Sequence, residues 1–256
     1  MVTGGLGVLG REYAVTLTAA GARVAAFDVR PEPPESDLAR AGVKTYRLDL
    51  TDRDAVERAM ATVVKELGAP TVLVNNAGLG SSPVDAALET GAFEDYPVTA
   101  WDAMMNSHLT AALFTSQAFI RAFRGAAARA GSIINVSSTY GVVSPDQSIY
   151  DYRRRTGAVY FKPVGYSVAK SGMLNFTRWL AEYCAPFNVR VNTLVPGGVR
   201  EEGHAPEFVQ EYVKRTPLGR MALPDDYNGA VLFLASRASA YMTGSMLVVD
   251  GGWTAR

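Results

Sequence analysis

Two hydrophobic patterns alternate along this chain. Short apolar runs at residues 23–27, 44–48, 72–75, 133–138 and 191–199 read as strands. Between them lie longer runs, at 11–20, 52–67, 101–124 and 166–185, whose apolar positions return with helical spacing. Strand and helix in alternation predict an α/β fold, a doubly wound and mostly parallel sheet with helices on both faces. In such a sheet, ligands bind beyond the carboxyl ends of the strands. No repeat or linker divides the pattern, so residues 1–256 are expected to form one domain. The alanine-rich stretch 126–131 reads as a helix end and turn.

Composition narrows the function classes. With 256 residues, 48% of them hydrophobic, the chain is long enough for one well-filled core. Lys+Arg and Asp+Glu balance at 25 each, which leaves no basic footprint for nucleic acid or an anionic membrane. Apolar runs fall well short of the ~18 residues a membrane span needs, and no cleavable signal pattern precedes Thr3. Cys184 is the only cysteine, so no internal disulfide can form and a cytoplasmic location is expected. The two histidines, His108 and His204, are far apart in sequence, and no metal site is expected. His204, in the 201–204 loop, reads as a surface residue.

Candidate chemistry begins at Tyr166 and Lys170, which open the run 166–185. Four residues apart on a helix, they share a face, with Cβ atoms about 5–6 Å apart. A phenol with a pKa near ~10 is a poor base at neutral pH, and an adjacent ammonium favours its ionised form. Such a pair can move a proton to or from an alcohol or ketone oxygen. The same spacing also describes a packed tyrosine beside a solvated lysine; its weight comes from the start of the chain. There Gly5, Gly7 and Gly10 match Gly-x-Gly-x-x-Gly just ahead of the helical run 11–20. These glycines permit a tight turn, close approach of backbone to a pyrophosphate, and close helix–strand packing. Asp28 ends the second strand, 18 residues beyond Gly10. A carboxylate there accepts hydrogen bonds from the ribose 2′-OH of NAD and repels the 2′-phosphate of NADP. Arg30 softens that rejection, and NAD is the expected cofactor.

With these stretches in place the chain resembles the short-chain dehydrogenase/reductase family, nearly end to end. Asn75-Asn76-Ala77-Gly78 matches the family's Asn-Asn-Ala-Gly segment, and Asp49-Leu50 the position that contacts adenine. The run 133–138 matches the strand carrying the catalytic serine, with Ser138 favoured over Ser137. The run 191–199 matches the Pro-Gly stretch facing the nicotinamide, and 243–252 the last strand and its exit. The resemblance implies a Rossmann-type domain and hydride transfer between NAD and a secondary alcohol or ketone. Tyr166 would carry the proton, Lys170 would bind the nicotinamide ribose and lower the tyrosine pKa, and Ser138 would hold the substrate oxygen. His108 falls where the family usually places an asparagine that relays protons. Imidazole titrates near neutrality and can serve there, with a structural role the equal alternative. Asn106 lies two residues early and is expected to point elsewhere. Asn76, Ala77, Gly78 and Val199 complete the implied cofactor contacts, and a homo-oligomer, dimer or tetramer, is implied through the long helices and the 247–253 end.

Three departures stand out. Thr3-Gly4-Gly5-Leu6-Gly7-Val8-Leu9-Gly10 has the glycine spacing of the family's extended members in a chain of ordinary length. Only Met1 and Val2 precede Thr3, too few for a full first strand, so an upstream natural start is expected. Between Ser138 and Tyr166 lie 27 residues, an insertion at about 139–165 rich in tyrosine and arginine. It is expected to wall the substrate pocket, with one or two of Arg153, Arg154 and Arg155 clamping an acidic group; a solvated loop or subunit contact is the alternative. The small-molecule substrate is then a sugar, polyol or sugar-acid, in line with a resemblance to a bacterial subgroup of surface-sugar and nonulosonate pathways. Two alternatives remain: a less polar ketone, 3-oxoacyl or steroid-like, and a dinucleotide sensor without turnover.

Overall fold

The computed structural model describes residues 1–33, 35–80, 86–126, 130–157 and 159–255. Strands β1 (Val2–Thr3), β2 (Ala25–Asp28), β3 (Lys44–Arg47), β4 (Val72–Asn75), β5 (Gly131–Val136), β6 (Val189–Pro196) and β7 (Met246–Val249) form one sheet. Their order is β3-β2-β1-β4-β5-β6-β7, and every pair is parallel. The chain winds outward from β1 to β3, then returns to lay β4 on the other side of β1. Ligands of such sheets bind at that reversal.

Helices α1 (Val8–Ala19), α2 (Asp37–Ala41), α3 (Arg53–Leu67), α4 (Ala86–Glu89), α5 (Val98–Met105) and α6 (Ala111–Arg124) fill the first half. The second half holds α7 (Thr139–Val142), α8 (Asp151–Arg154), α9 (Val164–Cys184), α10 (Pro206–Arg215) and α11 (Asn228–Ala235). Side chains alternate across each strand, and two cores result. Phe27, Leu73, Ile133 and Val191 meet α3, α6 and α9 on one face. Ala26, Val74, Ile134 and Leu194 meet α1, α2 and α11 on the other.

The first strand is short: Val2 pairs with Ala26 and Val74, and Thr3 with Phe27. Further toward the substrate side, the expected helix 101–124 starts at Val98 and is broken in two by a π turn at Asn106–Thr110. Residues 127–129 of the alanine-rich patch lie outside the described residues, and Gly131 begins β5 instead of closing a turn.

A polar row crosses the sheet beneath its carboxyl edge. Asn75, Asn135 and Thr193 are register partners on β4, β5 and β6. Asn75 donates to Asn135 at 2.9 Å and to Ser116 at 3.0 Å, and accepts from Thr115 at 2.7 Å. Asn135 and Thr193 both donate to the Thr177 hydroxyl at 2.8 Å. Fully satisfied networks of this kind fix one arrangement of the elements they join; here three strands are tied to α6 and α9.

Candidate active site

A cleft of about 960 Å³ opens along the carboxyl ends of β1, β2, β4, β5 and β6. One end is built by the glycine-rich turn. Gly4 and Gly7 line it, whereas Gly5 packs against Ala26 and Gly10 against the Gly4 carbonyl. Of the three glycines expected in the turn, then, only Gly7 lines the cleft, and Gly4 joins it. Gly7 caps α1 with extended backbone and no side-chain bond to the first turn. Amides at such a helix start are left for an anion, in the favourable sense of the helix dipole. Thr3 holds this turn to the segment after β4: its hydroxyl accepts from the amides of Asn76 at 2.9 Å and Ala77 at 3.0 Å.

Asp28 lines the same end and is 8% exposed. Its carboxylate accepts from the Leu6 amide at 2.9 Å and from the Arg30 guanidinium at 3.0 and 3.2 Å. Although burial works the other way, the Arg30 and Leu6 hydrogen bonds hold the carboxyl below its ordinary value. Asp49, Leu50, Asn76, Ala77 and Gly78 extend this wall, and Val199, bridged to Ala222, closes it from beyond β6. The lining therefore fits a dinucleotide: uncapped amides near Gly7, a carboxylate at the end of β2, and an apolar slot between.

At the other end Ser138, Tyr166, Lys170 and His108 come together. Tyr166 and Lys170 stand one turn apart on α9, and the Lys170 ammonium lies 5.8 Å from the centre of the tyrosine ring. It donates to the Val136 carbonyl at 2.9 Å, and burial lowers it to about 8. Ser138, just past β5, accepts from the Tyr140 amide at 3.2 Å. Burial pushes the Tyr166 phenol above its ordinary value while a Ser138 hydrogen bond pulls it back. That differs from the lowered phenol expected beside Lys170: in this pocket desolvation outweighs the hydrogen bond from Ser138.

His108 is 2% exposed. The π turn brings it toward the cleft, an insertion common at functional sites. Its Nε2 meets the Leu79 carbonyl at 3.0 Å, and its ring stands edge-on to Tyr166 with centroids 5.7 Å apart. Gly78 permits this approach, since a Cβ there would lie 2.0 Å from the imidazole. Burial, then the Lys170 charge, lowers His108 to about 3. It is thus neutral throughout the ordinary pH range and, contrary to the expectation from its residue type, does not titrate near neutrality. Asn106 lines the cleft too, contrary to expectation, with its side-chain oxygen Oδ1 accepting from the Thr110 hydroxyl at 3.0 Å.

The insertion does wall this end, through Tyr140, Tyr150 and Lys162. Its three arginines do not line the cleft. Arg153 stacks on Tyr160 at 4.2 Å, and Arg154 pairs with Asp151 and donates to the Gln147 carbonyl at 3.0 Å. Both hold the insertion itself together. Opposite stand Phe208 and Tyr212 of α10 with His204, which packs on Phe208 at the cleft and is no detached surface residue. The sequence reading missed this wall. Its signal was the spacing of Phe208 and Tyr212, four apart in a run otherwise rich in charge.

Residues 7–254 match the family model described as enoyl-(acyl carrier protein) reductase. The 3-oxoacyl-(acyl-carrier-protein) reductase of Thermotoga maritima is 32% identical over 98% of this chain and 96% of its own length. This chain belongs to the short-chain dehydrogenase/reductase family. It is a nicotinamide-dependent oxidoreductase by that membership. Among other members, cis-4-hydroxycyclohexanecarboxylate dehydrogenase of Sinomonas cyclohexanicum is 32% identical over 100% of this chain and 96% of its own. A short-chain dehydrogenase from Leptospira borgpetersenii, solved with bound NAD⁺, superposes with a TM-score of 0.85 at 32% identity, covering 98% of this chain and 91% of that one. The likeness to these members runs over nearly the whole length of this chain. Among the described residues no His, Cys, Asp or Glu cluster suits a metal, and no helix is long and apolar enough to cross a membrane.

Proposed function

We propose that this short-chain dehydrogenase/reductase interconverts a secondary alcohol and its ketone on a small polar substrate, a sugar, polyol or sugar-acid, with NAD as coenzyme. The observation that carries this reading is the meeting of Ser138, Tyr166 and Lys170 at one end of a cleft whose other end presents Gly7 and Asp28. Bound NAD supplies the hydride acceptor or donor. Asp28 receives the adenosine ribose, the α1 amides and Gly7 the pyrophosphate, and Asp49, Leu50, Asn76, Ala77, Gly78 and Val199 line the path between. Lys170 has two further N–H donors for the nicotinamide ribose beside the one given to Val136. Ser138 holds the substrate oxygen, and Tyr166 gives it a proton in reduction or takes one in oxidation. Neutral His108 acts as a hydrogen-bonding member of the site, orienting Tyr166 edge-on.

A panel of sugars, polyols and sugar-acids with NAD⁺, followed at the NADH absorbance, tests the reading; NADH binding without turnover of any alcohol or ketone would favour the sensor alternative. Coenzyme choice is the sharper part. Asp28→Ala removes the ribose acceptor and frees Arg30 for a phosphate, so the preference for NADH over NADPH is expected to narrow by about tenfold or more. Steady-state kcat/KM for both coenzymes measures this. An unmodified enzyme preferring NADPH would overturn the assignment of Asp28.

Assembly as a dimer or tetramer in the cytoplasm is part of the proposal. Trp179 and Tyr183 stack at 5.6 Å on the outer face of α9 and are 64% and 45% exposed. Met246 and Val248 are exposed on edge strand β7. Trp253, expected at a subunit contact, is instead buried against Tyr140 and Tyr212. Light scattering at micromolar concentration is expected to give a multiple of 27.4 kDa; a monomer mass would count against assembly.

A further inference from the structure

We propose that Lys162 anchors the substrate, and that the substrate is a compact hydroxy or keto acid whose carboxylate pairs with its ammonium. This rests on the dehydrogenase reading and names the substrate class for the same cleft.

Lys162 is pinned at the backbone from both directions. Its amide donates to the Gln147 side-chain oxygen at 2.8 Å, and its carbonyl accepts from the Gln147 amide nitrogen at 3.4 Å. The ammonium reaches into the cleft, 4.5 Å from the centre of the Tyr166 ring, nearer than Lys170 at 5.8 Å. Its one hydrogen bond among the described residues is a long one, 3.3 Å to the Gly80 carbonyl, and no ion pair is formed with it there. The half-buried position lowers the ammonium below its ordinary value, while the Glu89 charge works in the opposite sense. A cation drawn partly out of water, with no carboxylate in contact among the described residues, is costly unless a ligand completes it. Two other cations of the insertion are engaged elsewhere, Arg153 stacked on Tyr160 and Arg154 paired with Asp151, and the third, Arg155, does not line the cleft.

Geometry sets the size of the acid. The carbinol oxygen must hydrogen-bond the Tyr166 hydroxyl, and Lys162 lies over the same ring. The span from ring centre to phenol oxygen, with one hydrogen bond at each end added to 4.5 Å, puts carboxylate and carbinol oxygen within about 13 Å of each other. A single ammonium suits a monoanion, and the stacked rings of Tyr150 and Phe208 offer the rest of the substrate an apolar face.

The test pairs 3-hydroxybutyrate, gluconate and cis-4-hydroxycyclohexanecarboxylate with their carboxamides, using the full chain and NAD⁺. At least one acid is expected to have kcat/KM tenfold or more above its amide. Lys162→Met, which keeps the apolar stem, is expected to raise KM for that acid by about tenfold to over a hundredfold. The amide should be unaffected, and Lys162→Arg should retain the preference for the acid. NADH affinity and thermal midpoint, unchanged in both variants, exclude a folding lesion. Calorimetric titration of the same acids into the enzyme–NADH complex separates the two layers of the argument. Acid binding abolished by Lys162→Met in a protein that turns over nothing would sink the dehydrogenase reading and leave the anion site standing. Turnover of alcohols with no preference for any acid over its amide, or Lys162→Met affecting acid and amide alike, would overturn the anion site alone.

Discussion

Tyr166→Phe is expected to lower kcat by about 10²- to 10⁴-fold, roughly 3–5 kcal/mol of lost transition-state stabilisation. The substitution deletes one oxygen and keeps the ring. The edge-on contact with His108 and the packing against the two lysines remain, since both are made by the ring. The cofactor end of the cleft, at Gly7 and Asp28, is untouched. NADH affinity by fluorescence titration should therefore match the parent, and the loss should fall on the chemical step. With no phenol between Ser138 and the cleft, a developing alkoxide has no proton donor at that position. A variant whose kcat stays within about threefold of the parent would remove Tyr166 from the proton path and send the search to Ser138 or a water held near Lys170.

Gly10→Ala is expected to be the most damaging change at the cofactor end, although Gly10 does not line the cleft. A Cβ at this position would lie 2.0 Å from the Gly4 carbonyl oxygen and 2.8 Å from its carbon. Both are backbone atoms, so neither can swing aside as a side-chain tip would. Relief requires α1 to move off the turn, and that movement carries the Gly7 amides with it. Overpacking of this kind costs about 1–3 kcal/mol, which in a domain of this size lowers the thermal midpoint by roughly 2–4 °C per kcal/mol. NADH affinity should fall by more than tenfold through displacement of the turn. Differential scanning fluorimetry with and without NADH reads both effects, and an alanine variant with the parent midpoint and the parent shift on adding NADH would show the turn to be looser than drawn.

The sheet was legible in sequence because buried parallel strands are written as apolar runs, and their termini were marked by residues with chemistry of their own, such as Asp28 and Asn75. Boundaries moved where pairing overrode local pattern. β5 begins at Gly131 because Val189 is there to pair with it, and Ser137 and Ser138 fall beyond its end. The π turn at 106–110 was not legible, since Asn-Ser-His-Leu-Thr has no signature of an inserted residue and its effect is visible only as His108 reaching Leu79. Direction was equally hidden in the insertion. Composition reported three arginines and one lysine, but which cation faces the cleft depends on partners distant in sequence, Tyr160 for Arg153 and Gly80 for Lys162. The charge state of His108 likewise followed from enclosure by neighbours that no local motif announces.

The polar row of Asn75, Asn135 and Thr193 has an evolutionary consequence. Gly78, Ser138, His108 and the Tyr166–Lys170 pair lie close in sequence to the network's members Asn75, Asn135, Thr115 and Thr177, and the hydrogen bonds among these fix how β4, β5, α6 and α9 stand to one another. None of the described residues in 143–163 takes part in that network. The segment is instead fastened to α10, where Arg215 pairs with Asp146 and donates to the Ser148 hydroxyl. Substrate wall and hydride-transfer apparatus are therefore held in place by different sets of hydrogen bonds within one small domain. Mutations can reshape residues 143–163 and α10 together, trading one class of alcohol for another, while the reaction itself is inherited unchanged.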